Sequence, residues 1–173
     1  MKRFMAALAV VAMLALVPAA LAASDDVSLD DVFDYARDYT DMDVHRIEDE
    51  DLDCVIVDLS PDSDHYVWLV YQLSGTQRNI LGAVLYSDIE YYCAAEDERD
   101  EANALTNQWN YDHRYPTAYV DPTDGQYMAD AYLFCVDPSE GMVREFVENQ
   151  IFGSQQLLQF LGESGVPQYA PYA

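Results

Sequence analysis

Asn107-Gln108-Trp109-Asn110-Tyr111-Asp112-His113-Arg114-Tyr115-Pro116-Thr117-Ala118-Tyr119-Val120-Asp121 closes one amphipathic helix and opens one strand. Upstream, Ala102, Leu105 and Trp109 recur at three- and four-residue steps, the period of a helix face. Asp97, Glu98, Asp100 and Glu101 crowd the start of that stripe, where the helix dipole favours carboxylates. A helix over 97–111 follows. Downstream, Ala118-Tyr119-Val120 begins an extended run. Asp121-Pro122-Thr123-Asp124-Gly125 is hairpin chemistry, with Gly125 free to take a positive φ. Tyr127 to Val136 returns as the partner strand.

Outward from this junction the periods alternate in blocks. Leu29, Val32, Phe33, Ala36 and Tyr39 form a helical stripe within 27–39. Ser28 is its N-cap, with Asp31 three residues on, and Val27 and Val32 can form a hydrophobic staple. Val44 to Ile47 reads as a short strand, and Cys54-Val55-Ile56-Val57-Asp58-Leu59 as a β-branched one. Between them lies the acidic turn Glu48-Asp49-Glu50-Asp51. Ser60 to Asp64 is turn chemistry. Tyr66-Val67-Trp68-Leu69-Val70-Tyr71 is apolar on both parities, which predicts a central strand covered on both sides. Residues 79–86 fit either a strand or a helix, and Ile89 to Cys93 reads as a strand. A last helix starts with Asp137 as N-cap, Pro138 at N1 and Glu140 at N3. Its stripe of Val143, Phe146, Val147, Ile151, Leu157, Leu158 and Leu161 is stopped by Gly162. Residues 163–173 carry no pattern and are expected to be a flexible tail.

Strands are grouped rather than alternating with helices. The expected class is α+β: a mainly antiparallel sheet packed by an N-terminal, a middle and a long C-terminal helix.

Residues 1–22 have the layout of a secretory signal. Lys2 and Arg3 precede an apolar run from Phe4 to Val17, Pro18 breaks it, and Ala20-Leu21-Ala22 suits small-x-small cleavage. The run is shorter than the roughly 20 residues that span a bilayer. Export to the periplasm or beyond is therefore expected, with a mature chain beginning at Ala23 or Ser24 and no membrane insertion after cleavage. About 150 residues would remain, the size of one domain with one core.

Charge narrows the partners. The chain has 32 acidic and 8 basic residues, a formal net charge of −24, and Lys2 is its one lysine. Such a surface repels phosphate backbones and excludes nucleic acid as a partner. A basic protein or peptide, or a divalent cation, would be attracted. With 14 tyrosines and half its residues apolar, the chain can nonetheless build a core.

Catalytic signals are weak. There is no G-x-S-x-G elbow, no phosphate-binding Gly-rich loop and no C-x-x-C pair. His45, His65 and His113 are scattered, so no zinc ligand set and no other cofactor is expected. Asp49 to Asp53 and Asp62 to Asp64 offer oxygen ligands without the spacing of an EF-hand. Cys54, Cys93 and Cys135 lie on predicted strands in an oxidising compartment. Cys93 with Cys135 is the expected disulfide, both sitting near strand ends, and three buried thiols are the alternative.

Asn107-x-Trp109-Asn110, followed by Tyr115-Pro116-x-Ala118-Tyr119-x-Asp121, an acidic turn, an extended run and a long C-terminal helix, resembles the YbjN-domain family. That family is described as bacterial sensory-transduction regulators. The resemblance is clearest over residues 88–161, within a domain expected at 23–162. In the N-terminal half it rests on the order helix then strands. Two features depart from the family: Tyr111-Asp112 replaces residues that are often basic, and many relatives are cytoplasmic. The resemblance implies a compact fold similar to type III secretion chaperones, which bind other proteins and often pair into dimers. It brings no catalytic residues. Trp109, Asn110, Tyr115, Ala118 and Tyr119 look like the shared positions. Trp109 would dock the helix on the sheet, Asn110 would bond local backbone, and Ala118 would permit close approach. Alternatively, Trp109, Tyr115 and Tyr119 would line a partner groove. The reading is a non-enzymatic, exported protein-binding or regulatory module, with a protein or peptide partner and a homodimer as its expected associations. A calcium-responsive acidic domain and an unrecognised hydrolase are the alternatives.

Overall fold

The computed structural model describes residues 27–50, 52–60, 66–75, 79–87, 94–135 and 138–166. The signal-like segment, the expected strand Ile89 to Cys93, the Asp62–Asp64 cluster and most of the expected tail lie outside the described residues.

Helix α1 (Leu29–Tyr39) starts where the sequence places it. The Ser28 Oγ accepts from the Asp31 backbone N–H at 3.1 Å and donates to the Asp31 carboxylate at 2.7 Å, closing the first turn. Four strands follow: β1 (Val44–Glu48), β2 (Asp53–Asp58), β3 (Val67–Ser74) and β4 (Ile80–Ser87). The ambiguous 79–86 segment is thus a strand. A 3-10 turn (Glu96–Glu98) leads into α2 (Arg99–Asp112). Then come β5 (Thr117–Val120), β6 (Tyr127–Phe134) and α3 (Glu140–Glu163).

The strands make one antiparallel sheet in the order β1-β2-β3-β4-β6-β5. After β4 the chain passes through α2, reaches the sheet edge as β5, and folds back so that β6 fills the gap. Gly125 turns that hairpin at φ 87°. Its amide donates to Asp121 O at 2.9 Å, and its carbonyl accepts from Ala94 N at 2.8 Å.

Pairing register sorts side chains by face. Val55, Val57, Leu69, Tyr71, Leu81 and Ala83 face α1 and the first half of α3 in one cluster. Val67, Leu85, Ala118, Val120 and Ala129 face α2 and the second half of α3 in the other. The Tyr71 hydroxyl, fully buried, donates to Val147 O at 2.8 Å and seats α3 on β3. Arg46 ties α1 to the sheet edge through Asp30 at 3.0 Å and Asp53 at 2.7 Å.

The opposite face is different. Its buried cluster is Leu52, Cys54, Ile56, Val70 and Tyr86, with Ile47, Trp68, Val84 and Met128 packed beside it, and it contains no helical residue. The two-sided apolar reading of β3 correctly makes it central. Among the described residues, however, helices cover one side only. Trp68 and Val70 meet strand neighbours instead of a second layer.

Two helix ends differ from the sequence reading. Ser139, not Asp137, caps α3: its Oγ accepts from Met142 N at 3.3 Å. Gly162 does not stop α3, which runs through it to Glu163. Gly165 takes the positive φ of 75°. Its amide reaches Gly162 O at 3.2 Å, and Val166 N reaches Leu161 O at 3.1 Å. This paired closure is a Schellman motif, with Val166 buried against Leu161 as its apolar contact.

Candidate functional site

The α2–β5 junction is built around two side chains. Trp109 is buried at 1 % exposure, and its indole N–H donates to Pro116 O at 2.9 Å. His113 stacks on the indole at 3.6 Å and 8°, and Phe160 of α3 closes the far side at 5.6 Å. Asn110 acts as a short extra strand for the sheet edge. Its amide donates to Ala118 O and its carbonyl accepts from Ala118 N, both at 2.8 Å. A primary amide presents the same donor–acceptor pair as a peptide unit, so this exchange satisfies the edge of β5 locally. The Tyr115–Pro116 bond is cis. Gly153 of α3 packs against that bond so closely that an added Cβ would sit 2.9 Å from both Pro116 Cδ and Tyr115 O.

These contacts distribute the candidate residues over three places. Trp109 and Ala118 are buried beneath α3. Asn107 and Tyr115 are exposed at the junction, with Tyr115 at 55 %. Asp121 starts the hairpin, accepting from Thr123 N at 2.7 Å. Tyr119 alternates away from Ala118 and Val120 onto the other face of the sheet. Trp109, Tyr115 and Tyr119 therefore share no single groove. Cys54 and Cys135 are buried free thiols, and burial raises both pKa values, that of Cys54 to about 11. Cys93 lies outside the described residues. Among the described residues no group of three or more His, Cys, Asp or Glu is placed to hold a metal ion. A shallow cavity of about 410 Å³ between the starts of α1 and α3 is lined by Val27, Asp31, Asp34, Tyr35, Glu140 and Val143.

Tyr119 instead joins residues that the sequence reading did not single out. Register pairs Tyr119 with Met128, Val84 and Thr117 with Asp130, Gly82 with Tyr132, and Ile80 with Phe134. All belong to the face that no described helix covers. Tyr132 and Phe134 are 52 % and 69 % exposed. The Tyr132 ring lies over Gly82, where a Cβ would come within 3.2 Å of it. Its hydroxyl donates to the Asp130 carboxylate at 3.3 Å.

Electrostatically the patch is one unit. Partial burial raises the Asp130 pKa, against a smaller opposing effect of the Tyr132 hydrogen bond. Burial, then Asp130 and Tyr132, push Tyr119 up to about 12. Tyr86 is raised further, by burial and then by Tyr119, Tyr132 and Asp130. Burial and Asp130 also raise Tyr132. The phenols stay neutral at physiological pH, so the Asp130 carboxylate sits among neutral aromatic rings, with Asp121 also acting on Tyr119.

The signal for this patch lay in β6. At the middle of Tyr127 to Phe134, Ala129 and Ala131 fall on one parity, while Met128, Asp130, Tyr132 and Phe134 fall on the other. Small residues mark the side that helices approach closely, and the bulky parity marks the side they do not.

Comparison with protein families matches residues 28–151, more than half of the chain, to YbjN, described as "putative bacterial sensory transduction regulator". Comparison with curated proteins and with solved structures gives no match. The chain belongs to the YbjN family, and at that level it is a regulatory module.

Proposed function

We propose that this YbjN-family chain is an exported, non-enzymatic module that acts by binding another protein. The observation that carries the reading is the sheet face that no described helix covers, where Tyr132 and Phe134 expose aromatic surface along β6 on the same face as Tyr119. Exposed aromatic side chains in a contiguous patch favour a protein contact, because Tyr and Trp bury large area at low entropy cost. The signal-like residues 1–22 support export, and the family description supports a regulatory role.

Two measurements test this. N-terminal sequencing of the chain recovered from the exported fraction should begin at Ala23 or Ser24; an intact Met1 in the cytoplasm removes the export part. Crosslinking in the exported fraction followed by pull-down should recover the same partner repeatedly, and Tyr132→Ser should reduce its yield. Repeated absence of any partner removes the binding part.

A further inference from the structure

Resting on that protein-binding reading, we infer that the β4–β6–β5 part of the face that no described helix covers is a seat for a basic segment of the partner. One arginine or lysine of that segment lies over the Tyr119 and Tyr132 rings and pairs with Asp130. Three observations converge on this occupant. The first is the chemistry of the patch. Asp130 has Tyr132 two residues along β6, hydrogen-bonded to it, and Tyr119 diagonally across on β5, with Tyr86 near enough to sense its charge. A planar guanidinium satisfies both parts of such a patch, because it stacks on aromatic faces while its N–H groups bond a carboxylate.

The second is that four of the five arginines among the described residues are bonded elsewhere. Among the described residues, Arg37 bonds Asp34, Arg46 bonds Asp30 and Asp53, and Arg144 bonds Asp38. Arg99 donates to Pro122 O at 2.8 Å. None of these bonds involves Asp130. The third is overall charge. At a net −24, the field draws basic segments in and turns acidic ones away. A second copy of this chain fits poorly, because a two-fold contact through the patch would set Asp130 near its own image. Gly82 completes the shape. With no side chain there, Tyr132 lies down along β4 with its outer ring face toward solvent.

The test uses the mature chain and two fluorescein-labelled peptides, one alternating arginine with valine and one with glutamate in place of arginine. Anisotropy is read at about 0.15 M salt, where long-range attraction is screened. The arginine peptide should bind and the glutamate peptide should not. Asp130→Asn should weaken binding about tenfold, the scale of a partly desolvated cation–π and ion-pair contact. Glu101→Gln removes the same charge from exposed α2 and should change binding by less than about twofold, as expected for a screened surface charge. A melting temperature of Asp130→Asn at or above the parent separates lost binding from lost folding.

Equal weakening by both substitutions, or no binding of the arginine peptide, overturns the seat. So does a dimer by light scattering that Tyr132→Ser dissolves, which gives the patch to a second copy. If Asp130→Asn still captures the crosslinked partner in full yield, the seat fails and the protein-binding reading stands. If neither peptide nor partner is bound, both fail.

Discussion

Two glycines of α3 should answer the same substitution with opposite signs. In a helix interior, alanine is favoured over glycine by about 0.8–1 kcal/mol, because glycine has more backbone freedom to lose. Gly141 lies in the first turn, and an added Cβ would meet nothing nearer than Ser139 Oγ at 3.9 Å. Gly141→Ala should therefore stabilise by roughly 0.4–1 kcal/mol. Gly153 is buried, and the same methyl would stand 2.9 Å from Pro116 Cδ, 2.9 Å from Tyr115 O and 3.3 Å from Tyr115 C. Two of these are backbone atoms of a segment already held by the Trp109 and Asn110 hydrogen bonds, so they cannot retreat cheaply. Overpacking of this kind costs about 1–3 kcal/mol, which outweighs the propensity gain. The net effect of Gly153→Ala should be a loss on the order of 1 kcal/mol. Urea unfolding with an unchanged m-value reads both variants directly. In thermal unfolding each kcal/mol is about 2–4 °C for a domain of this size, so the two variants should straddle the parent by several degrees. If Gly153→Ala matched or exceeded the parent while Gly141→Ala showed its ordinary gain, the close seating of α3 on residues 115–116 would be refuted.

Asn110→Ala should cost about 1–3 kcal/mol, because it strips both bonds from the buried Ala118 peptide groups. Asn110→Asp should be destabilised at neutral pH, where a carboxylate faces Ala118 O, and should recover as acid protonates it; equal losses at both pH values would contradict the paired bonding. Asp130→Asn should be more stable than the parent at neutral pH. Burial raises the native Asp130 pKa, so its contribution is fully present below the ordinary carboxylate range and is lost as pH rises through the native value. The gap in melting temperature should therefore close toward about pH 3, and a gap that is constant with pH would show that Asp130 is not desolvated.

The sequence carries the α+β class because its periods are strong where packing is strong. The α1 stripe, the β-branched Val55–Val57 run and the α3 stripe each announce a face turned to a core. Residues 79–86 stayed ambiguous because Ile80 to Tyr86 is a short, nearly continuous apolar run, which periodicity alone cannot assign. Pairing with β3 and β6 decides it. The sequence reading places the cap of α3 at Asp137 because Pro138 suits N1, but Ser139 offers an equally good acceptor two residues later and holds the cap. At the other end Gly162 reads as the stop, but the helix closes at Gly165, where Val166 joins the same buried cluster as Leu161. The Asn107–Asp121 segment was legible as a packing junction, down to Asn110 bonding nearby backbone. What stayed hidden was that Tyr119 leaves the junction altogether. A motif read along the chain conceals the face change that occurs at every residue of a strand.

That face change gives the β5–β6 hairpin two separate duties. On its inner parity Ala118, Ala129 and Ala131 keep the surface low, so that α2 and α3 can approach the sheet. On its outer parity Tyr119, Asp130, Tyr132 and Phe134 add bulk and charge where no described helix arrives. A partly buried carboxylate is a poor choice for stability alone, and an exposed Phe134 gains the fold little. Natural proteins keep such residues where a surface must meet something else, at some expense in stability. The two duties should therefore separate by substitution. Inner changes such as Gly153→Ala move stability and leave the outer patch chemically intact. Outer changes such as Asp130→Asn raise stability while weakening peptide binding. Because the inner and outer sites share no partners, their effects on unfolding should add in the double variant. Strong non-additivity would mean that the two faces of the hairpin are coupled through the strands themselves.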